Sequence, residues 1–176
     1  MKKGNKNFKI DFVGIGAMKS ATNWIFSYLQ KHPEIANTSK KEVHFFDIDH
    51  NYRKGIEYYK KSFGEFGSQK IVGEYTPRYM YKTKCAKRIY KHFPDVKLIA
   101  NLRNPIQRAY SHFKYSWSTR GRLYIFDSFS EAIKNDEEMV KRGLYYKQLK
   151  EYYNRFPPEN IYVDLFNNLK NDSKKF

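Results

Sequence analysis

Four short apolar runs with strand character lie at Phe8–Ile15, Lys70–Gly73, Val96–Leu102 and Asn160–Leu165. Between them run helix-period stretches at Thr22–Lys31, Tyr52–Phe63, Arg78–Phe93, Pro105–Trp117, Phe129–Lys141 and Leu144–Phe156. Strands alternating with helices predict an α/β fold of three layers, a central parallel sheet flanked by helices. Val96-Lys-Leu-Ile-Ala-Asn-Leu is nearly continuous in its apolar character, as a parallel strand covered on both faces must be. Gly64–Ser68 and Arg120–Asp127 read as surface loops, and Pro157-Pro158 marks a sharp turn into the last strand. A length of 176 residues without internal repeat or low-complexity tract predicts one domain, with residues 1–7 a flexible basic N-terminus.

Charge narrows the partners. Thirty-four Lys and Arg against 18 Asp and Glu leave +16, a field that draws nucleotides, anionic glycans, nucleic acid or acidic lipid without choosing among them. Hydrophobic content of 40% and aromatic content of 18% exclude disorder. Cys85 is the single cysteine, so there is neither a disulfide framework nor a cysteine metal site, which fits a reducing compartment. No apolar run of signal or membrane-spanning length occurs, and the expectation is a cytoplasmic protein.

The segment Asp11-Phe-Val-Gly-Ile-Gly-Ala-Met-Lys-Ser-Ala-Thr-Asn-Trp-Ile-Phe reads as a buried strand, a tight glycine turn, a lysine, a hydroxyl pair and an amphipathic helix. Free N–H groups at a helix start, the positive dipole end and one ammonium group make an anion site suited to phosphate. The nucleoside-triphosphate loop needs Gly before Lys-Ser, where Met18 stands, and the third glycine of the dinucleotide fingerprint is replaced by Lys19. Ala21 disfavours positive φ, so an ordinary backbone conformation is expected there. Simple capping of a helix by Ser20 and Thr22 would account for the loop alone.

Two further motifs follow in order. Arg103-Asn104-Pro105 ends a strand, and Ser111 lies eight residues beyond the arginine, with Pro105 placed to start a helix. Lys41-Glu42-Val43-His44-Phe45-Phe46-Asp47 carries three titratable groups on a Val-Phe-Phe frame. By itself that segment equally describes a charged strand edge over a core cluster. Together, Lys19-Ser20-Ala21-Thr22-Asn23-Trp24-Ile25, Arg103 to Ser111 and the Glu-Val-His-Phe-Phe-Asp stretch resemble the sulfotransferases, most nearly their heparan-sulfate, glycan-modifying branch. The resemblance runs from about Phe8 to Leu169.

The resemblance implies a co-substrate, 3′-phosphoadenosine 5′-phosphosulfate, with adenosine 3′,5′-bisphosphate as product and no metal. Lys19, Ser20, Ala21, Thr22, Asn23 and Trp24 would hold the donor with Arg103 and Ser111, the last two on the 3′-phosphate. A guanidinium fork suits phosphate oxygens, and a hydroxyl adds a donor. Glu42 would be the general base, preferably with its pKa raised by burial, and Lys19 would counter charge on the leaving oxygen. His44 is the competing base, and His44 and Asp47 would place the acceptor. In Gly73-Glu74-Tyr75-Thr76-Pro77 the family's acceptor-orienting lysine is replaced by Tyr75, which stands as the acceptor-side residue. Family members usually continue past this point with a basic, glycine-containing loop that closes over the adenosine. The expectation is that the domain is shortened or that another segment closes it.

The function implied is sulfuryl transfer to a hydroxyl or amine, with a glycan as candidate acceptor and no nucleic acid or membrane span. The alternatives are a P-loop-type nucleotide kinase and a non-catalytic polyanion- or nucleic-acid-binding domain. The first would need a Gly-Lys-[Ser/Thr] loop and an acidic Mg²⁺ ligand at a strand end. The second leaves the ordered set Lys19, Glu42, Arg103 and Ser111 unexplained.

Overall fold

The computed structural model of the protein describes residues 8–64, 71–120 and 125–171. The chain order is β1 Phe12–Gly16, α1 Thr22–Lys31, β2 Ile35–Asn37, α2 Asp49–Arg53, α3 Ile56–Lys60 and β3 Ile71–Tyr75. There follow α4 Lys84–His92, β4 Lys97–Leu102, α5 Pro105–Arg120, α6 Phe129–Asn135, α7 Glu137–Lys141, α8 Tyr145–Tyr153, β5 Ile161–Leu165 and α9 Phe166–Asn171. The strands form one all-parallel sheet in the order β2-β3-β1-β4-β5, with helices packed about it, as the alternating pattern predicts. The expected N-terminal tail 1–7 and the loop segments 65–68 and 121–124 lie outside the described residues.

Buried on every residue, β1 occupies the centre of the sheet. The chain leaves it toward β2 and β3 on one side and later crosses to β4 and β5 on the other. Connections that diverge in this way open a crevice beyond the carboxyl end of the central strand. Two aromatic–glycine pairs lock β1 to β3: Phe12 lies opposite Gly73 and Tyr75 opposite Gly14. A Cβ on Gly14 would stand 2.1 Å from the Tyr75 ring, so glycine is required there for close approach.

The main core joins Val13 and Ile15 of β1 to Phe45, Phe46, Tyr59 and Leu98. Phe45 stacks on Tyr59 at 4.8 Å between ring centres, and Phe46 meets Tyr79 edge-on at 5.4 Å. Burying each phenylalanine contributes roughly 1.5–3 kcal/mol, enough to anchor the irregular segment that carries them. A smaller cluster of Ala109, Ala132 and Met139 joins α5 to α6 and α7.

Several boundaries differ from the sequence pattern, each for a local reason. The stretch Tyr52–Phe63 breaks at Gly55, whose φ is 80°, between α2 and α3. The Arg78–Phe93 helix starts only at Lys84, because the Met80 N–H donates to the Ile15 carbonyl at the end of β1 (2.8 Å). Phe129–Lys141 divides at Asp136, whose carboxylate caps α7 by accepting from the Met139 N–H (3.2 Å). Three-residue β2 and short α9 have no counterpart in the apolar pattern, and β3 runs on through Glu74 and Tyr75.

Candidate active site

The turn after β1 is held by its neighbours rather than by its own propensity. Lys19 and Ala21 both adopt left-handed backbone, with φ of 69° and 61°. For Ala21 this overturns the expectation of an ordinary conformation. Such residues cost on the order of 1–3 kcal/mol each and persist only where the surroundings impose them. Here the imposing groups come from the end of β4. Buried Asn101 donates from Nδ2 to the Ser20 carbonyl at 2.7 Å, and an Arg103 guanidinium nitrogen donates to the Lys19 carbonyl at 3.3 Å. The Ala17 N–H completes the junction by donating to the Asn101 carbonyl at 2.9 Å.

Arg103 is itself placed from two sides. Its carbonyl accepts from the Tyr145 hydroxyl of α8 at 2.8 Å, and its guanidinium lies 4.5 Å from the Phe166 ring centre. Asn104 caps α5 by accepting from the Ile106 and Gln107 N–H groups, so the helix starts at Pro105 as the sequence predicts. Ser111 follows two turns along α5, and Tyr115 is one turn further on the same face.

The segment 38–47 lies across the end of β3 and is neither strand nor helix. The Glu42 N–H donates to the Tyr75 carbonyl at 3.3 Å, while the Phe45 N–H donates to the buried Tyr79 hydroxyl at 3.0 Å. Glu42 and His44 take φ of 65° and 53°. This local strain turns their side chains away from the core that Phe45 and Phe46 fill, so the frame serves packing and chemistry together. The Glu42 carboxylate meets Lys41 Nζ at 2.7 Å through Oε1 and His44 Nε2 at 3.4 Å through Oε2. His44 Nδ1 lies 3.0 Å from Asp47, which is buried and also paired with Arg78 at 3.3 Å.

These contacts set the protonation states. The bonds to Asp47, then to Glu42, push His44 up to about 9, so it is cationic at neutral pH. That charge state favours Glu42 over His44 as the base. The bond from His44, with Lys41 adding to it against the effect of burial, draws Glu42 down to about 2. The expectation that burial would raise Glu42 is thus corrected, since its cationic partners outweigh desolvation. Lys19 is lowered by burial and by the neighbouring charges of Lys41 and Arg103.

Lys19, Ala21, Thr22, Asn23, Glu42, Arg103 and Ser111 line one cavity of about 390 Å³. Ligand sites typically measure about 300–1,000 Å³. Lys19, Ser111 and Tyr115 also border an adjoining cleft of about 610 Å³ that continues past Lys114 and Trp117. Other residues singled out in the sequence stand elsewhere. Ser20 is buried beneath the turn, and His44 and Asp47 stand behind Glu42. Trp24 packs on Tyr28 and lines a separate cavity of about 150 Å³ with Asn101 and Tyr162. Tyr75 does not reach the cavity: it is fully buried, and its hydroxyl donates to the Gly16 carbonyl at 2.9 Å. Its placement as an acceptor-side residue is corrected accordingly, because it props the turn from below. Sequence reasoning missed Lys41, Tyr115 and Phe166 as cavity residues. The signals available were the position of Lys41 beside Glu42 and the four-residue step from Ser111 to Tyr115.

Known proteins resemble this chain in sequence and fold. The model of the sulfotransferase domain family matches residues 9–175. Membrane-associated sulfotransferase kil1 of Dictyostelium discoideum is 38% identical over 137 residues, which are 74% of this chain and 29% of that protein. Human heparan sulfate glucosamine 3-O-sulfotransferase 5 is 31% identical across 85% of this chain and 45% of its own. The chain thus spans less than half the length of these curated relatives. The crystal structure of a sulfotransferase from Alicyclobacillus acidocaldarius superposes with a TM-score of 0.82 at 29% identity, covering 94% of this chain and 76% of that one. With the turn after β1, the arginine–serine pair just beyond β4 and on α5, and a match that runs nearly end to end, the chain belongs to the sulfotransferase family.

Proposed function

We propose that the protein transfers a sulfuryl group from 3′-phosphoadenosine 5′-phosphosulfate to a hydroxyl or amine, with a glycan as the acceptor class. One observation carries the reading: Lys19, Lys41 and Arg103 converge on a single cavity whose wall also presents the ionised Glu42 carboxylate. Three cations about one carboxylate leave an excess of positive charge that an anionic ligand would satisfy. The donor fits on a second count. Arg103 Nε is buried without a hydrogen-bond partner among the described residues, and a phosphate oxygen would complete its fork.

In this reading Arg103 and Ser111 hold the 3′-phosphate, while Lys19 and the start of α1 face the leaving phosphate. Glu42 takes the acceptor proton. It is ionised throughout the physiological range, and His44 and Asp47 hold it in place. Such a fixed set of charges stabilises the transition state without reorganisation. The glycan class is supported by the likeness to heparan sulfate sulfotransferases. The kinase reading is not favoured, since β4 ends in Asn101 and Leu102, with Arg103 next, and offers no carboxylate for Mg²⁺ there.

Calorimetry with adenosine 3′,5′-bisphosphate, adenosine 5′-phosphate, ATP and a generic oligonucleotide tests the proposal. The bisphosphate is expected to bind best. Arg103→Ala should weaken it by about tenfold or more, the worth of a charge-assisted pair, while adenosine 5′-phosphate changes little. Equal losses for both nucleotides, or preferential binding of the oligonucleotide, would reject the donor site.

A further inference from the structure

We propose that Lys41 is the cation that holds the sulfuryl oxygens during transfer, an inference that rests on the donor reading above. Transfer runs between two fixed points of the cavity: the start of α1, which faces the leaving phosphate, and Glu42, which faces the acceptor. Lys41 spans both. Its Nζ stands 2.7 Å from Glu42 Oε1 and 3.4 Å from Oγ1 of Thr22, the first residue of α1. Its side chain is 17% exposed and lines the cavity, so the ammonium group is directed inward rather than into solvent.

In this reading the other cavity cations serve different groups, Lys19 the leaving phosphate and Arg103 the 3′-phosphate. Lys19 Nζ lies over the Tyr115 ring, and Arg103 is held against the Lys19 carbonyl and the Phe166 ring. The end of β3 contributes no cation, since Tyr75 is buried with its hydroxyl on the Gly16 carbonyl. A group in flight between α1 and Glu42 therefore meets the Lys41 ammonium first.

The chemistry balances without any proton from Lys41. The sulfur–oxygen bond to the leaving phosphate breaks, and its electron pair stays on the phosphate oxygen. The acceptor oxygen forms the new bond to sulfur, and its proton passes to Glu42. Lys41 donates hydrogen bonds to the sulfuryl oxygens and stays charged. In doing so it releases Glu42 Oε1, which leaves His44 as the remaining partner of the carboxylate. Arrival of the donor thereby makes Glu42 a stronger base at the moment a base is needed.

The two nucleotides separate this role from simple support of the fold, because only the donor carries sulfuryl oxygens. In calorimetric titrations, Lys41→Met and Lys41→Gln are expected to weaken 3′-phosphoadenosine 5′-phosphosulfate by about tenfold more than they weaken adenosine 3′,5′-bisphosphate. Lys41→Arg should retain most of the donor affinity. Retained bisphosphate binding also reports an intact domain in each variant. Equal losses for both nucleotides, or full donor affinity in the Met and Gln variants, would overturn the assignment while leaving the donor site standing. A wild-type protein that binds neither nucleotide would remove the donor reading itself, and this assignment with it.

Discussion

The Lys19 ammonium rests 3.9 Å from the centre of the Tyr115 ring, above an aromatic face that borders both the cavity and the adjoining cleft. This gives a charge crowded by Lys41 and Arg103 a neutral, electron-rich place to wait. A contact of this type is worth about 0.5–1 kcal/mol at a partly exposed site. That stabilisation is given up when Lys19 turns to a phosphate. Tyr115→Leu is therefore expected to tighten adenosine 3′,5′-bisphosphate by about two- to fivefold, while Tyr115→Phe matches the wild type. Titration calorimetry reads both. Weaker binding in the Leu variant would mean that the ring serves the ligand directly.

At Ala21 the left-handed backbone supplies a stability test. Relief of the alanine's positive-φ strain, about 1–2 kcal/mol, outweighs the added chain entropy of glycine, about 0.4–1 kcal/mol. Ala21→Gly should thus stabilise the domain by roughly 0.5–1 kcal/mol, seen as a higher urea midpoint at unchanged slope. A lower midpoint would show that the turn tolerates alanine without strain.

The parts of the site legible in the sequence are those that rest on short-range spacing. Lys19 at the end of the first strand and Ser111 eight residues past Arg103 follow from local chain geometry, and both reach the cavity. Glu42 was legible through its motif, but its ionisation was not. Its sign depends on His44 and Lys41 arriving together at the two carboxylate oxygens, against the effect of burial. Tyr75 shows the opposite failure. Its place in the motif suggests an acceptor-side residue, yet the space over Gly14 accepts its ring and turns it into the core. The fold followed from alternating strands and helices. Helix ends such as Lys84 and Asp136 did not, since long-range bonds and side-chain caps decide them.

Glu42→Gln keeps the size of the side chain and removes the base. Turnover is expected to fall by on the order of 10²–10⁴, with adenosine 3′,5′-bisphosphate affinity nearly intact. The assay is sulfate transfer to a panel of glycan, phenol and amine acceptors beside a binding titration. His44 should respond differently, through pH. Its value is raised to about 9, so the stability it contributes is complete below its ordinary value of about 6.5 and disappears as pH rises through about 9. His44→Gln should therefore lower the melting temperature at pH 6 and converge with the wild type above pH 9. A constant gap across that range would remove His44 from the charge network.

Glu74 carries a separate pH signature, because it is fully buried one residue before Tyr75. It accepts from the Tyr59 hydroxyl at 3.0 Å and from the Thr76 hydroxyl at 2.6 Å. Burial nevertheless dominates and pushes the carboxyl up to about 7 from 4.5. The folded protein holds this proton more tightly than the unfolded chain. Its contribution is therefore complete below pH 4.5 and is lost as pH rises through about 7. Glu74→Gln preserves the shape and can still bond both hydroxyls, its amide oxygen accepting from one and its amide nitrogen donating to the other, but it cannot ionise. Denaturant midpoints measured from pH 4.5 to 8 should show a shallower decline in the Gln variant than in the wild type, with the variant the more stable of the two at pH 8. Parallel profiles would show that Glu74 reaches water or a compensating charge when it ionises. In that case the network beneath the turn would have no part in setting how the domain responds to pH.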